Sequence, residues 1–394
     1  MKSLIRFGCC VLLFGLVVLP ARAAFTSLYI FGDGVSTTTN NIQSGLLAAD
    51  YYGYRFCNGR VWVELLAQQL GLTNNYWYST NSSNQLSYAN LSASSTNWSY
   101  SSNNNSYFEH SSSIVVTDVS NFVAPADVSN ALFIVWVNEA DFVYDMTHYT
   151  PFTSNNIAVW TNAINQSISN HFMVITNLYA EGVRTLVMPN AADITEVPSY
   201  SGLPAVNKSF VRQRVIDFNT AFTTTLSNAM VSCPGLKIYQ PDFFSLLDNI
   251  LTNAAAYGLT NALYSGHTID AIDGYYDGLL PNLNLNGPGA NYIFWDYLDP
   301  SAKAQAIMVD TVQQLLAPTQ IAQITSQNGS NQLAMANVPI GLNGVVLGST
   351  NLALTNWTTV TSFNSTNSAQ SVFVPISGPL QFYRLNFPFA WTWP

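Results

Sequence analysis

Five acidic residues closely follow apolar segments of this sequence and are candidates for catalysis or cation binding. The residues concerned are Asp33, Glu139, Asp141, Asp296 and Asp299. A pair of carboxyl groups can act as general acid and general base in glycoside hydrolysis when one of them is held protonated. Carboxylate oxygens can also bind Ca²⁺. These residues are therefore candidates for an acid–base enzyme or for a cation site.

A serine nucleophile is the alternative chemistry, and the stretch "FGDGVSTTTN" at 31–40 offers Ser36. Such a serine needs a neighbouring base, usually an imidazole. His148 follows Asp141 by seven residues, and the other three histidines are scattered. Ser36 is better explained as a turn residue that caps the following segment. With no HExxH motif and no paired cysteines, we expect no zinc-type centre and no cofactor.

The elements that position these residues alternate along the first three hundred residues. Candidate strands are 26–31, 131–137, 183–188 and 236–240; candidate helices are 60–70, about 155–181, 206–232, 242–252 and 300–316. Short apolar strands that alternate with longer helices predict an α/β fold with a parallel sheet covered on both faces. Ligands of such folds bind at the carboxyl ends of the strands. This rule predicts a cleft there lined by Asp33, Trp136, Asn138 and the other acids.

The amino-acid composition limits the classes of molecule that this protein is expected to bind. Only 8% of the 394 residues are charged, and the net charge is −9. Phosphate binding requires clustered cations, so nucleic acid is excluded as an expected partner. A small-molecule or glycan ligand that is neutral and polar fits better. The sequence does not indicate an oligomeric state.

The N-terminus has the pattern of a secretory signal. Lys2 and Arg6 precede an apolar stretch at about 7–19, which ends before a small-residue site at 21–23. We expect residues 1–23 to be removed, leaving a secreted, extracellular, periplasmic or cell-surface protein without a transmembrane anchor. Cys57 and Cys233 then remain and form either one disulfide or two buried thiols.

Two segments differ from the alternating pattern. Residues 73–113 form a tract rich in Asn, Ser and Tyr, which is typical of a surface loop or a sugar-binding platform. From residue 318 onward, short β-branched and aromatic segments between turn residues predict a small β-sandwich-like module over 318–394. Through Ser349–Leu352, Asn356–Val360 and Phe382–Leu385 it resembles a C-terminal β-module of secreted bacterial proteins, which implies attachment, secretion or binding. A stabilising cap on the large domain is the alternative.

Five blocks give residues 25–317 a resemblance to the GDSL lipase/esterase family, also called SGNH hydrolases. They are "FGDGVSTTTN" (family FGDSxSDTGN), "YRFCNGRVWVELLAQQLGL", "ALFIVWVNEADF" (WxGxNDF), "DFFSLLDNILTNAAAYGLTNA" and "YIFWDYLDPSAKAQAIM" (FWDxxHPT). The blocks occur in the family's order. The resemblance implies a flavodoxin-like three-layer sandwich with a central parallel sheet, and an ester hydrolase activity.

The family's catalytic residues do not carry over. The position of its serine nucleophile is Gly34, that of its oxyanion-hole asparagine is Ala140, and that of its histidine base is Asp299. The glycine that supplies a second oxyanion N–H falls on Ser92, and only the acid that orients the histidine remains, as Asp296. Beside Asp296, Asp299 is expected to be repelled instead of oriented.

Three hypotheses follow. The first is a pseudo-hydrolase that binds a ligand in the family's cleft without cleaving it. The second is a rebuilt site, in which the acids form one cluster that acts as a carboxylate enzyme or binds a cation. The third is an active serine-type esterase with a displaced nucleophile such as Ser36. A closed apolar site would favour a structural role for the cleft, whereas an open polar groove would favour binding.

Overall fold

The computed structural model describes residues 25–36, 50–52, 55–72, 112–124, 126–352, 357–378 and 381–387. Within these residues, four parallel strands form one sheet in sequential order. They are β1 (Leu28–Gly32), β2 (Leu132–Trp136), β3 (Thr185–Val187) and β4 (Lys237–Tyr239). β1 and β2 pair along their whole length, from Leu28 opposite Leu132 to Gly32 opposite Trp136. The carboxyl ends of β1 and β2 therefore lie side by side.

Helices cover both faces of this sheet. They are α1 (Trp62–Gln69), α2 (Ser112–Ser120), α3 (Asn138–His148), α4 (Ile157–Ala180), α5 (Pro198–Ser201), α6 (Ala205–Ser232), α7 (Phe243–Thr252), α8 (Ala271–Tyr276) and α9 (Ala302–Leu316). A two-stranded hairpin, β5 (Leu263–Tyr264) and β6 (His267–Thr268), lies between α7 and α8.

Alternating side chains on β1 divide the core into two layers. Tyr29 and Phe31 face the cluster that contains α2, α4 and α6, whereas Leu28 and Ile30 face the cluster that contains α1 and α9. Side chains of a strand alternate between the two faces of its sheet, so each face buries its own apolar set. Burying one large apolar side chain contributes roughly 1.5–3 kcal/mol. The result is the expected three-layer sandwich.

Helix α1 begins at a buried ion pair between Arg55 and Glu64. The Glu64 carboxylate accepts a hydrogen bond from the Arg55 Nε (2.7 Å) and another from the Val61 backbone N–H (3.0 Å). The second bond satisfies an N–H group at the helix N-terminus that would otherwise lack an acceptor. This arrangement fixes Trp62, the first residue of the helix, under the end of β1.

After α9 the chain forms strands in antiparallel sheets. The strands are β7 (Gln320–Gln327), β8 (Ser330–Ala336), β9 (Asn343–Ser349), β10 (Thr358–Asn364), β11 (Ala369–Pro375) and β12 (Phe382–Asn386). In the described residues they form two three-stranded sheets, β10–β9–β12 and β11–β8–β7, around Leu333, Val346 and Val374. The Ile340 N–H donates to the Gln69 carbonyl (3.3 Å), which joins these strands to the end of α1.

The fold class predicted from the sequence is confirmed. All four candidate strands and all five candidate helices are present, with ends displaced by one to a few residues. The elements that were not predicted are α2, α3, α5, α8 and β5 to β8. Cys57 and Cys233 are both free and buried, in different core clusters, so the disulfide alternative is wrong. Residues 1–23 and nearly all of the tract at 73–113 lie outside the described residues.

Candidate functional site

The chain turns sharply after β1, through a short 3-10 helix at Gly34–Ser36. All three residues are buried. A Cβ atom on Gly32 would lie 2.8 Å from the Ser36 Cβ, so this close turn requires glycine at position 32. The Ser36 Oγ accepts a hydrogen bond from the Trp62 Nε1 (3.1 Å). Ser36 therefore ties the turn to α1, and its hydroxyl faces an indole instead of an imidazole.

Asp33, between that strand and that turn, is fully buried at the start of α3. Burial raises the pKa of its carboxyl to about 7, and hydrogen bonds from the backbone N–H groups of Ala140 and Val35 act in the opposite direction. Asp33, at the end of β1, therefore lies close to the first turn of α3. Ala140, in that turn, has no polar side chain to offer a ligand.

Glu139 is the second acid of this region. Its Oε1 accepts a hydrogen bond from the Ala192 N–H (2.8 Å), while its buried Oε2 has no hydrogen-bond partner in the described part of the chain. Burial raises the pKa of Glu139 well above its ordinary value, and the charge of Asp33 raises it further. Burial and the neighbouring Asp33 therefore favour the protonated form of Glu139, which can donate a hydrogen bond.

Glu139 lies in the wall of a small apolar cavity of about 60 Å³. The other walls are mostly large apolar side chains, among them Val35, Trp136, Phe243, Phe294, Leu298 and Met308. The Trp136 and Phe243 rings meet edge to face, with centroids 4.9 Å apart. Of the two alternatives that the sequence left open, the walls of this space are therefore apolar instead of polar, with Glu139 as their acidic member.

Asp296 and Asp299 form a separate buried pair. The Asp296 Oδ1 accepts hydrogen bonds from the N–H groups of Leu298 (3.0 Å) and Asp299 (2.8 Å), and its Oδ2 accepts one from the Tyr51 hydroxyl (3.0 Å). Burial raises the pKa of Asp296, and a side-chain hydrogen bond with Asp299 partly offsets this. The expected repulsion between the two carboxyl groups stays a prediction.

Asp141 and Asn138 hold the backbone of neighbouring segments. Asp141 accepts hydrogen bonds from the Ser112 N–H (2.9 Å) and the Ser167 hydroxyl (2.5 Å). The Asn138 Nδ2 donates to the Pro189 carbonyl (2.9 Å). The acids therefore do not form the single cluster that the sequence suggested. In the described ranges, no three His, Cys, Asp or Glu side chains are arranged to bind a metal ion.

One hydroxyl does lie near an imidazole, since the Ser167 Oγ is 3.4 Å from the His171 Nδ1. The His171 Nδ1 is also 2.8 Å from the Ser167 carbonyl, and a carbonyl can only accept a hydrogen bond. This nitrogen therefore carries the proton and cannot remove one from Ser167. Both residues are buried, and the pKa of His171 is lowered by burial. His148, the other candidate base, is exposed and stacks on Tyr144.

Sequence reasoning missed Tyr51, Ala192 and Phe243, which contact the candidate residues. Ala192 follows β3, so the rule that placed Asp33 at the carboxyl end of β1 would also have found it. Tyr51 and Phe243 carried no comparable signal, because aromatic residues are common throughout the chain. Ser92 lies outside the described residues.

These features define a class of protein: a three-layer α/β sandwich with a turn after its first strand and an Asp-x-x-Asp turn before its last helix. The family model for GDSL-like lipase/acylhydrolase matches residues 28–312. The GDSL esterase/lipase At1g71691 of Arabidopsis thaliana is 27% identical over 338 residues, covering 77% of this chain and 86% of the relative. A second Arabidopsis thaliana GDSL esterase/lipase, At5g37690, is 23% identical over 325 residues, covering 74% and 89%. The chain therefore belongs to the GDSL-like lipase/acylhydrolase family.

Proposed function

We propose that this chain is a member of the GDSL family that no longer hydrolyses esters and uses the apolar cavity beside Gly34 to bind a ligand. The observation that carries the proposal is the chemistry around that cavity. Gly34 offers no nucleophilic atom, Ala140 offers no side-chain donor, and Asp299 is hydrogen-bonded to Asp296.

Each substitution removes a different part of the reaction. An acyl-enzyme requires a nucleophilic atom on the side chain, which glycine lacks. One oxyanion-hole donor stabilises the transition state by about 3–4 kcal/mol, and alanine cannot provide it. An aspartate hydrogen-bonded to a neighbouring acid does not replace the imidazole base of the family. The loss of all three together supports binding without turnover.

The cavity favours the acyl end of an ester over a free sugar ring. Its volume of about 60 Å³ and its apolar walls suit a short acyl group, and the Glu139 hydroxyl could donate to the acyl carbonyl. A hexose is too large and too polar for this space. The proposed ligand is therefore an ester-bearing molecule, such as an acylated glycan, whose acyl group enters the cavity.

Export from the cell is part of the proposal. It is supported by the signal-like pattern of residues 1–23 and by the small fraction of charged residues. No helix in the described ranges is long and apolar enough to cross a membrane. We propose that residues 25–317 carry the ligand site and that the β-module at 318–394 serves attachment or binding.

The test combines turnover, labelling and binding on the purified full chain. We expect no hydrolysis of p-nitrophenyl acetate or butyrate above the buffer rate, and no serine labelled by a fluorophosphonate. Saturation-transfer NMR with p-nitrophenyl butyrate should nevertheless detect binding. Glu139→Gln, which keeps a hydrogen-bond donor, should retain this binding, and Glu139→Leu should lose it.

Two results would overturn the proposal. One is turnover that disappears in Ser36→Ala, together with a fluorophosphonate adduct on the same residue. The other is an absence of butyrate binding in the folded native chain, which would make the cavity a packing defect of the core.

A further inference from the structure

A second cavity, which shares no lining residue with the apolar cavity, lies in a groove between helices α2, α3 and α4. Its volume is about 430 Å³. The N-terminus of α2 supplies Ser112 and Ser113, and the middle of α4 supplies Gln166 and Asn170. α3 supplies acids and aromatic rings to the third wall. This volume lies within the range of pockets that hold small organic molecules.

Two acids on α3, Asp141 and Asp145, stand one turn apart and line the groove together. Both oxygens of Asp141 are engaged, one by the Ser112 N–H and one by the Ser167 hydroxyl. Asp145 is only 7% exposed, and no described residue makes a hydrogen bond or ion pair with its carboxyl group. A buried carboxyl without a partner costs free energy that a ligand could recover.

The charges around Asp145 are all of one kind. No lysine or arginine is among the described residues that line the groove. Burial raises the pKa of Asp145 to about 8, and the charge of Asp141 raises it further. The acids and histidines of the packed helices that do not line the groove are Asp118 on α2, Glu139 and His148 on α3, and His171 on α4. The tyrosines of these helices are Tyr144 on α3 and Tyr179 on α4. Burial lowers the pKa of His171.

Aromatic rings complete the wall beside the two acids. The Tyr144 and Tyr149 rings meet edge to face, with centroids 6.1 Å apart, and both line the groove. Aromatic faces attract organic cations, most strongly where water is excluded. The Gln166 Nε2 donates to the Asn170 Oδ1 (2.9 Å), which leaves the Gln166 carbonyl available as an additional acceptor.

We propose that this groove binds a small organic cation that carries an ammonium group, with Asp145 as its counter-ion and the tyrosine rings beside it. A neutral sugar would satisfy the polar groups but would not compensate the carboxylate. A metal ion is disfavoured because both oxygens of Asp141 are already engaged by protein donors. The site is independent of the apolar cavity beside Gly34.

The test is isothermal titration calorimetry of the full chain with choline, ethanolamine and putrescine. The uncharged isostere of choline, 3,3-dimethylbutanol, is the ligand control. We expect at least one cation to bind at pH 8 and the alcohol not to bind. Because the cation requires ionised Asp145, affinity should fall about tenfold per pH unit as the pH drops below about 8.

Variants separate this site from general attraction to an acidic protein. Asp145→Asn should weaken binding at least tenfold. Asp118→Asn removes an acid on the neighbouring helix that does not line the groove, and should leave the affinity within twofold. Gln166→Lys places a protein cation in the groove at an exposed position and should abolish binding even if Asp145→Asn does not fold.

The proposal is overturned if none of the three cations binds at millimolar concentration. It is also overturned if 3,3-dimethylbutanol binds as well as choline, or if Asp145→Asn and Asp118→Asn behave alike. The first result would leave the groove as a solvent-filled gap, and the second would make it a site for neutral ligands.

Discussion

The ends of β1 and β2 and the groove between α2, α3 and α4 both bury acids, but they treat them differently. Glu139 receives the Ala192 backbone N–H, and Asp296 receives backbone N–H groups together with the Tyr51 hydroxyl. Asp145 in the groove receives none from the described residues. The acids at the strand ends and before α9 hold the backbone in place, whereas Asp145 has a carboxyl group that is available to a ligand.

This difference distinguishes acids that are retained because they stabilise the fold from an acid that is available to bind a ligand. Acids that organise a turn can persist after catalysis is lost, because removing them would damage the fold. An acid without a partner gives the folded state no such benefit, so its presence needs another reason. Substitution of these acids should therefore change the free energy of unfolding with opposite signs in the two regions.

Trp62→Ala, a substitution beside the end of β1, should cause the largest loss of stability. Trp62 is fully buried, donates to Ser36, and packs edge to face on Trp136 and Phe243. Loss of such a side chain costs about 3–5 kcal/mol of unfolding free energy. Urea denaturation followed by circular dichroism measures this. Trp62→Phe, which keeps most of the packing, should cost less than half as much.

Asp296→Ala should destabilise the protein by about 3 kcal/mol. The backbone N–H groups of Leu298 and Asp299 would remain buried without their acceptor, at about 1–3 kcal/mol each. The same denaturation experiment reports the change. A variant as stable as the native chain would show that these N–H groups find water, and the contrast between the two regions would weaken.

Asp145→Asn should have the opposite sign and stabilise the chain by about 2 kcal/mol at pH 8. The pKa of Asp145 is about 8 in the folded state and 3.8 for an ordinary aspartate. The native state therefore holds a proton that the unfolded chain has lost between these values, and stability falls as the pH rises through this window. Unfolding curves at pH 5 and pH 8 measure the slope, which the substitution should reduce.

Asp127, whose pKa is shifted in the opposite direction, is the control for the sign of the stability change in Asp145→Asn. The pKa of Asp127 is lowered by hydrogen bonds from the side chains of Thr26 and Ser27. Its contribution to stability is present above the ordinary aspartate pKa and is lost as the pH falls through the folded value. Asp127→Asn should therefore destabilise at pH 8. Equal behaviour of the two variants would contradict the assignment of Asp145.

Ser36→Ala should cost about 1–2 kcal/mol, because the buried Trp62 N–H loses its acceptor. The variant should react with ester substrates no differently from the native chain. Thermal denaturation and a p-nitrophenyl acetate assay measure the two properties. A loss of turnover without a loss of stability would return Ser36 to the role of nucleophile.

His148→Ala should have the smallest effect, below about 0.5 kcal/mol. His148 is exposed, and its ring stacks on Tyr144 with centroids 3.9 Å apart. Differential scanning calorimetry measures the change. A much larger loss would indicate that the stacked pair organises the groove.

The sheet and most helices could be predicted from the sequence because their apolar patterns are local. "ALFIVWV" is typical of a buried parallel strand, and a strand is present at Leu132–Trp136. The helix that follows was missed, because Asn138–His148 opens with polar residues. Its acids Glu139 and Asp141 suit the first turn of a helix, which offers a weaker signal than apolar periodicity.

The character of the candidate site could be predicted only in part. Gly34, Ala140 and Asp299 can be read by aligning motifs, but their surroundings depend on contacts between distant segments. Tyr51 reaches Asp296 across 245 positions of the sequence. The groove is assembled in the same way from α2, α3 and α4, and no local pattern marks Asp145 as unpartnered.

The two free thiols in the described part of the chain allow the opening of each layer of the sandwich to be followed separately. Cys57 packs on the side of α1 and α9, Cys233 packs on the opposite side, and both are buried. Burial also raises the pKa of Cys57, so its thiolate is scarce at neutral pH. An alkylating reagent therefore reacts with either sulfur only when its own layer opens. Mass spectrometry of the alkylated peptides would time those openings in the native protein, without any introduced label.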